Sequence, residues 1–159
     1  MCLNIPKVFD VTLSLDTNIY ADGDVLAATQ EIANFFPANG ITAFITGIQV
    51  LDEDDQGCAM DILLMNAATD IGAENGAYAI TDAEAATIVG WIDVNAADYT
   101  DWGDWRTAIY KYPDAGYKIP GYLQATALVS SLYVGAITRG GTPTYTASGV
   151  KLKISVDYL

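Results

Sequence analysis

The sequence predicts an all-β protein: a single antiparallel β-sandwich or jelly-roll-like domain with one short helix. Three observations predict it. Val, Ile and Thr number 10, 15 and 15, or 40 of 159 residues, against 27 for Lys, Glu, Arg, Gln and Leu together. That balance favours strands, although 23 alanines weaken it. Apolar residues alternate with polar ones near both ends of the chain, and glycine turns punctuate the stretch between.

The elements follow in chain order. A short N-terminal arm covers about residues 1–7. Phe9, Val11, Leu13 and Leu15 then alternate with Asp10, Thr12, Ser14 and Asp16, the period of a half-buried strand. In Asp24–Phe36, Val25, Ala28, Ile32 and Phe35 would share a helix face, but the strand-rich neighbours favour a strand. Ile41–Leu51 and Cys58–Asn66 read as two strands joined by a hairpin tip at Asp52–Gly57. In the second of them Met60, Ile62 and Leu64 point one way and Ala59, Asp61, Leu63 and Met65 the other. Thr81 and Glu84 form a capping box that starts a helix over 81–89, with Gly90 to end it. Further strands are expected at Gly90–Ala96, Arg106–Tyr112, Leu123–Leu128 and Ser131–Thr138. The clearest is the last, where Val150, Leu152, Ile154, Val156 and Tyr158 alternate with Lys151, Lys153, Ser155 and Asp157. Asp22-Gly23, Asn39-Gly40, Asn75-Gly76 and Gly140-Gly141 mark turns because these residues tolerate positive φ.

At 159 residues the chain fits one domain, with no internal repeat or linker. Seven Lys plus Arg against 20 Asp plus Glu leave a net charge of −13. Nucleic acid is excluded as a partner, since phosphate contacts need clustered cations, and an anionic membrane surface is disfavoured for the same reason. The two charge-free windows, Ile32–Leu51 and Ile119–Thr138, contain Pro, Gly and polar residues and read as strands rather than membrane spans. The start, MCLNIPKVFD, lacks the basic and apolar regions of a signal peptide, so the chain is expected to be made in a cytoplasm. There is no His, which removes the commonest general base and the usual triads. Cys2 and Cys58 form no disulfide framework and read as reduced thiols, a bridge between them being the lesser alternative. No catalytic residue, cofactor-binding motif or required metal site is expected.

Three clusters are candidate sites. Asp52, Asp54, Gln56 and Gly57 match positions of a calcium loop, but Leu63 stands where the closing acid belongs, so a solvated hairpin tip is the better reading. At such a tip Asp54→Asn should shift stability by no more than about 0.5 kcal/mol. In the run from Asp98 to Trp105, Asp98, Asp101 and Asp104 lie beside Trp102 and Trp105. Acid and indole together suit a sugar-binding surface, and two carboxylates could serve glycoside hydrolysis. Tryptophans packed into the core or a subunit interface are the simpler account. Tyr110, Tyr112, Tyr117 and Tyr122 fall close together with Pro113 and Pro120, as at an interface or on an ordinary strand face. Trp102, Trp105, Tyr110, Tyr112, Tyr117 and Tyr122 are therefore the candidate interface or glycan contacts.

Several runs carry a resemblance. They are Val11–Thr17, Tyr20–Leu26, Val50–Gly57 with Ala59–Asp61, and Arg139–Thr146 before the last strand. Together they resemble small virion structural proteins of tailed bacteriophages, of the head decoration (cement) type. The matched pieces are turns and strands rather than chemical signatures. The resemblance implies a β-sandwich on the capsid exterior that binds the major capsid protein, commonly as a homotrimer, and it brings no catalytic residues. A carbohydrate-binding β-sandwich module, or a tail or fibre component, is the alternative.

Overall fold

The period-two runs become strands in the computed structural model, which describes residues 5–37, 41–119, 123–124 and 130–159. In chain order these are β1 (Ile5–Thr12), β2 (Val25–Ile32), β3 (Thr42–Asp52), β4 (Met60–Met65), a four-residue helix α1 (Asp82–Ala85), β5 (Ile88–Val94), β6 (Thr100–Asp101), β7 (Arg106–Lys111), β8 (Tyr117–Lys118), β9 (Leu123–Gln124), β10 (Leu132–Thr138) and β11 (Val150–Tyr158). One sheet runs β1-β11-β3-β7-β6, with β9 also on β3, and the other runs β2-β10-β4-β5-β8. Every strand pairing is antiparallel.

The order is that of a jelly roll. With the two-residue strands β6, β8 and β9 set aside, the chain changes sheet at every connection except β4 to β5. The resulting four-strand orders, β1-β11-β3-β7 and β2-β10-β4-β5, place the first and last strands side by side. The inward positions of the two sheets meet as one core. Ile45, Ile48, Val50, Leu152, Ile154 and Val156 come from one sheet, and Leu26, Met60, Ile62, Leu64, Ile92 and Val134 from the other. Each such aliphatic side chain contributes about 1.5–3 kcal/mol by leaving water.

Strand β4 is buried on both faces, as its two apolar sets require. Met60, Ile62 and Leu64 enter the main core. Leu63 and Met65 enter a second cluster with Val25, Ile71 and Ile137, on the outer side of that sheet. At the flank between β1 and β2, the Gln30 amide accepts from the Ser14 N–H at 2.8 Å and donates to the Thr12 carbonyl at 3.1 Å, tying the two sheets together.

Strand β11 spans the residues its alternation marks, and β2 is a strand as its neighbours suggested. Four expectations are corrected. Strand β1 already starts at Ile5, which lies opposite Tyr158, so residues 5–7 are ladder and not arm. The helix expected over 81–89 keeps its Thr81–Glu84 capping box but stops at Ala85. Ile88 instead joins the ladder opposite Met65, where a β-branched side chain packs well. Gly90 ends no helix. It lies inside β5, where an added Cβ would sit 2.8 Å from the Ile119 Cα. The fourth correction is the 52–57 segment, which is no hairpin tip: β3 and β4 belong to different sheets, so it is the corner between them. The Asn39-Gly40 turn lies outside the described residues, as does most of the strand expected at 123–128.

Candidate interaction surface

The acid-and-tryptophan run folds as the β6–β7 hairpin. Asp101 lies opposite Arg106 in the ladder, and the Trp102 N–H donates to the Trp105 carbonyl at 2.9 Å. Gly103 takes φ of +101°, which a side chain would resist, and its N–H donates to the Asp101 carboxylate at 2.8 Å. This tight turn stacks the two indoles, with centroids 5.7 Å apart and planes 19° apart. Both stay in solvent, Trp102 at 59% exposure and Trp105 at 38%. Beside them Leu51, Glu53, Asp104 and Trp105 enclose a shallow depression of about 340 Å³. Ile109, on the same outward side of β7, is 55% exposed, with Thr107 and its partner Gln49 between it and Trp105.

The three acids of this run separate. The Asp98 carboxylate accepts from the Tyr110 hydroxyl at 2.6 Å and from the Asn95 N–H at 3.2 Å. The tyrosine hydrogen bond holds Asp98 below the usual aspartate range. Asp101 sits 3.3 Å from the Arg106 guanidinium. Asp104 alone opens toward the depression beside Trp105.

The tyrosines separate too. Tyr110 and Tyr117 are buried and use their hydroxyls inside the protein, on Asp98 and on the Ile45 carbonyl. Burial pushes both phenols above their ordinary pKa, and the Asp98 hydrogen bond adds to the shift at Tyr110. Tyr112 is 52% exposed and packs edge-on against Phe44 and Tyr117. Tyr122 lies outside the described residues.

At the 52–57 corner each carboxylate has its own partner. Asp52 is fully buried and accepts from the Gly57 N–H at 2.6 Å and the Asp54 N–H at 3.1 Å. Burial raises its pKa, against the pull of those N–H groups. Glu53 pairs with Lys151 at 2.7 Å, Asp54 caps Thr146, and Asp55 pairs with Arg106 at 2.5 Å. Arg106 thus bridges this corner and the tryptophan hairpin. Among the described residues no three His, Cys, Asp or Glu side chains are grouped to hold a metal ion. Cys58 is a buried thiol 3.0 Å from the Gly140 carbonyl, pushed up to about 11 by burial, and Cys2 lies outside the described residues. No helix among the described residues is long and apolar enough to cross a membrane.

The residues the sequence reading missed are Leu51, Glu53 and Ile109. They join the tryptophans only through the β3–β7 ladder, in which Leu51 faces Thr107 and Gln49 faces Ile109. Alternation along 105–111 was the available signal for Ile109.

No protein-family model and no curated protein matches the sequence. Solved structures that share distant similarity include two virus particles. One is the virus-like particle of the extra small virus of the giant freshwater prawn Macrobrachium rosenbergii, at 11% identity over 99% of this chain and 80% of that chain, with a TM-score of 0.32. The other is infectious bursal disease virus, Gx strain, at 14% identity over 96% of this chain and 40% of that chain, with a TM-score of 0.19. Both likenesses are too weak to add to what the strand order says.

Proposed function

We propose that this protein is a virion structural protein. More specifically, we read it as a decoration (cement) protein that binds the major capsid protein on the exterior of a tailed-phage head, as a homotrimer made in the host cytoplasm. The observation that carries the reading is the eight-strand jelly-roll order, an architecture used by capsid and lectin domains. The likeness of its turn-and-strand runs to decoration proteins narrows the choice. In this role the protein acts by binding and not by catalysis: its free energy of attachment to the assembled lattice stabilises the shell by mass action. The commitment of Asp98 to Tyr110 and of Asp101 to Arg106 favours a non-enzymatic role. The exposed Trp102–Trp105 stack is the feature that favours the second reading, a carbohydrate-binding module.

The test is immunogold labelling, with antibody raised against this chain, of particles purified from the culture that encodes it. Labelled head exteriors are expected. Labelled tails would move the protein to the tail. Particles without label, together with retention of the chain on an oligosaccharide column, would overturn the virion reading.

A further inference from the structure

We propose that β1 pairs with β1 of a second copy, antiparallel across a two-fold axis at Phe9, so that one sheet continues from copy to copy. Strand β1 ends its sheet, so one row of its backbone groups faces away from β11. The phase of the ladder identifies that row. The Leu13 N–H donates to the Val150 carbonyl at 3.0 Å, and this pair continues the register that sets Ile5 opposite Tyr158 and Thr12 opposite Lys151. The odd-numbered residues of β1 therefore bond to β11, and Pro6, Val8, Asp10 and Thr12 turn their backbone groups to the open side. Two observations agree. Pro6 has no N–H to leave unpaired there, the position at which a strand tolerates proline. At the other end the Gln30 amide takes the Thr12 carbonyl and the Ser14 N–H on that same side. Between these stops, the edge-facing groups of Val8 and Asp10 have no partner among the described residues, and Val8 is 54% exposed.

This open stretch is complementary to itself in one register. With Phe9 opposite Phe9, Val8 of each copy lies opposite Asp10 of the other, and each such pair exchanges both of its N–H···O bonds. Pro6 then lies opposite Thr12 of the second copy. Pro6 lacks a donor, and the Thr12 carbonyl needs none because Gln30 already serves it. The Pro6 carbonyl accepts from the Thr12 N–H. Moving the axis to Val8 would set the Asp10 carbonyl against the donorless Pro6. Moving it to Asp10 would set two like carboxylates side by side and aim the Val8 N–H at the engaged Thr12 carbonyl. Charge permits a second copy here as well. Lys7, Lys151 and Lys153 stand on β1 and β11 against Asp10 and Asp157, so three cations face two acids in a chain of net charge −13. The contact is isologous and closes on two chains. It therefore adds to the three-fold assembly proposed above, and it does not depend on the virion reading.

The experiment compares the mass of the full chain with that of Val8→Pro by sedimentation equilibrium at micromolar concentration. Proline at position 8 removes an edge-facing N–H and leaves the β1–β11 ladder intact. Wild type is expected to show twice the mass of the variant, whatever three-fold contact is also present, and circular dichroism checks that the variant is folded. Equal masses of folded wild type and variant would overturn the proposal, leaving the edge to a strand of another protein. A second measurement uses exposed positions and a Cys2→Ser background. Val8→Cys/Asp10→Cys is expected to oxidise to a disulfide-linked dimer at least tenfold faster than Val8→Cys or Asp10→Cys alone. Positions 8 and 10 of the two copies lie opposite each other, whereas 8 and 8, or 10 and 10, lie on a diagonal of about 7–8 Å, beyond disulfide reach. Linking by a single variant as fast as by the double would overturn the register, and no linking by any would overturn the contact. If Val8→Pro unfolds, the linking rates decide alone.

Discussion

The Asp54 carboxylate holds Thr146 across 92 residues of sequence, accepting from its backbone N–H at 2.7 Å and from its hydroxyl at 2.9 Å. This clasp joins the β3–β4 corner to the turn before β11. Glu53 reinforces it, its N–H donating to the Gly149 carbonyl at 2.7 Å. An exposed tip would tolerate Asp54→Asn almost without effect, but a charged acceptor serving two donors is worth more. We expect Asp54→Ala to cost about 1–2 kcal/mol in urea unfolding. A change below about 0.5 kcal/mol would return the corner to an ordinary surface loop.

Gly149 lies under that carboxylate, and a Cβ there would fall on the Asp54 oxygen. Gly149→Ala should therefore push Asp54 aside and cost about as much as Asp54→Ala. The two losses should not add, because the second change removes an interaction already broken. Additive losses in the double variant would show that the clasp is not the link between them.

Asp52 sets a pH dependence. Its folded pKa lies above the ordinary aspartate value of 3.8 because it is buried. The folded state thus binds the proton more tightly than the unfolded chain. This group favours folding below 3.8, and its contribution falls as pH rises from there through the raised folded value. Relative to Asp52→Asn, which cannot titrate, wild type should lose stability steadily as urea unfolding is repeated from pH 3 upward. A gain in wild-type stability relative to Asp52→Asn with rising pH would mean that the backbone N–H donors outweigh burial.

Tyr145 is 2% exposed, and its hydroxyl has no hydrogen-bond partner among the described residues. Removing an unpaired buried hydroxyl recovers its desolvation cost. Tyr145→Phe should raise stability by about 1 kcal/mol. A loss of stability would reveal a partner for the hydroxyl.

The Cys58 thiol is buried and pushed up to about 11, so little thiolate exists at neutral pH. In a Cys2→Ser background, DTNB at pH 8 should label the native protein at least tenfold more slowly than protein in urea. Equal rates would show that the thiol is reachable in the folded state.

What the sequence determined by itself was local. Period-two patterning set the bounds of β11 at Val150–Tyr158 and foretold that Leu63 and Met65 face away from Ile62 and Leu64, because alternation is a property of each strand alone. The Thr81–Glu84 capping box was legible for the same reason, since its two partners are three residues apart. The tertiary structure decided everything that depends on which strands are neighbours. Only the jelly-roll order turned 52–57 from a hairpin tip into a corner between sheets, drew Ile88 from the helix into a ladder, and buried Tyr110 and Tyr117 while leaving Trp102 in solvent. Asp54 finds Thr146, and Leu51 comes to lie beside Trp105, through pairings that span tens of residues. No local pattern encodes such pairings, because the free energy that selects them is the burial of whole sheet faces against each other.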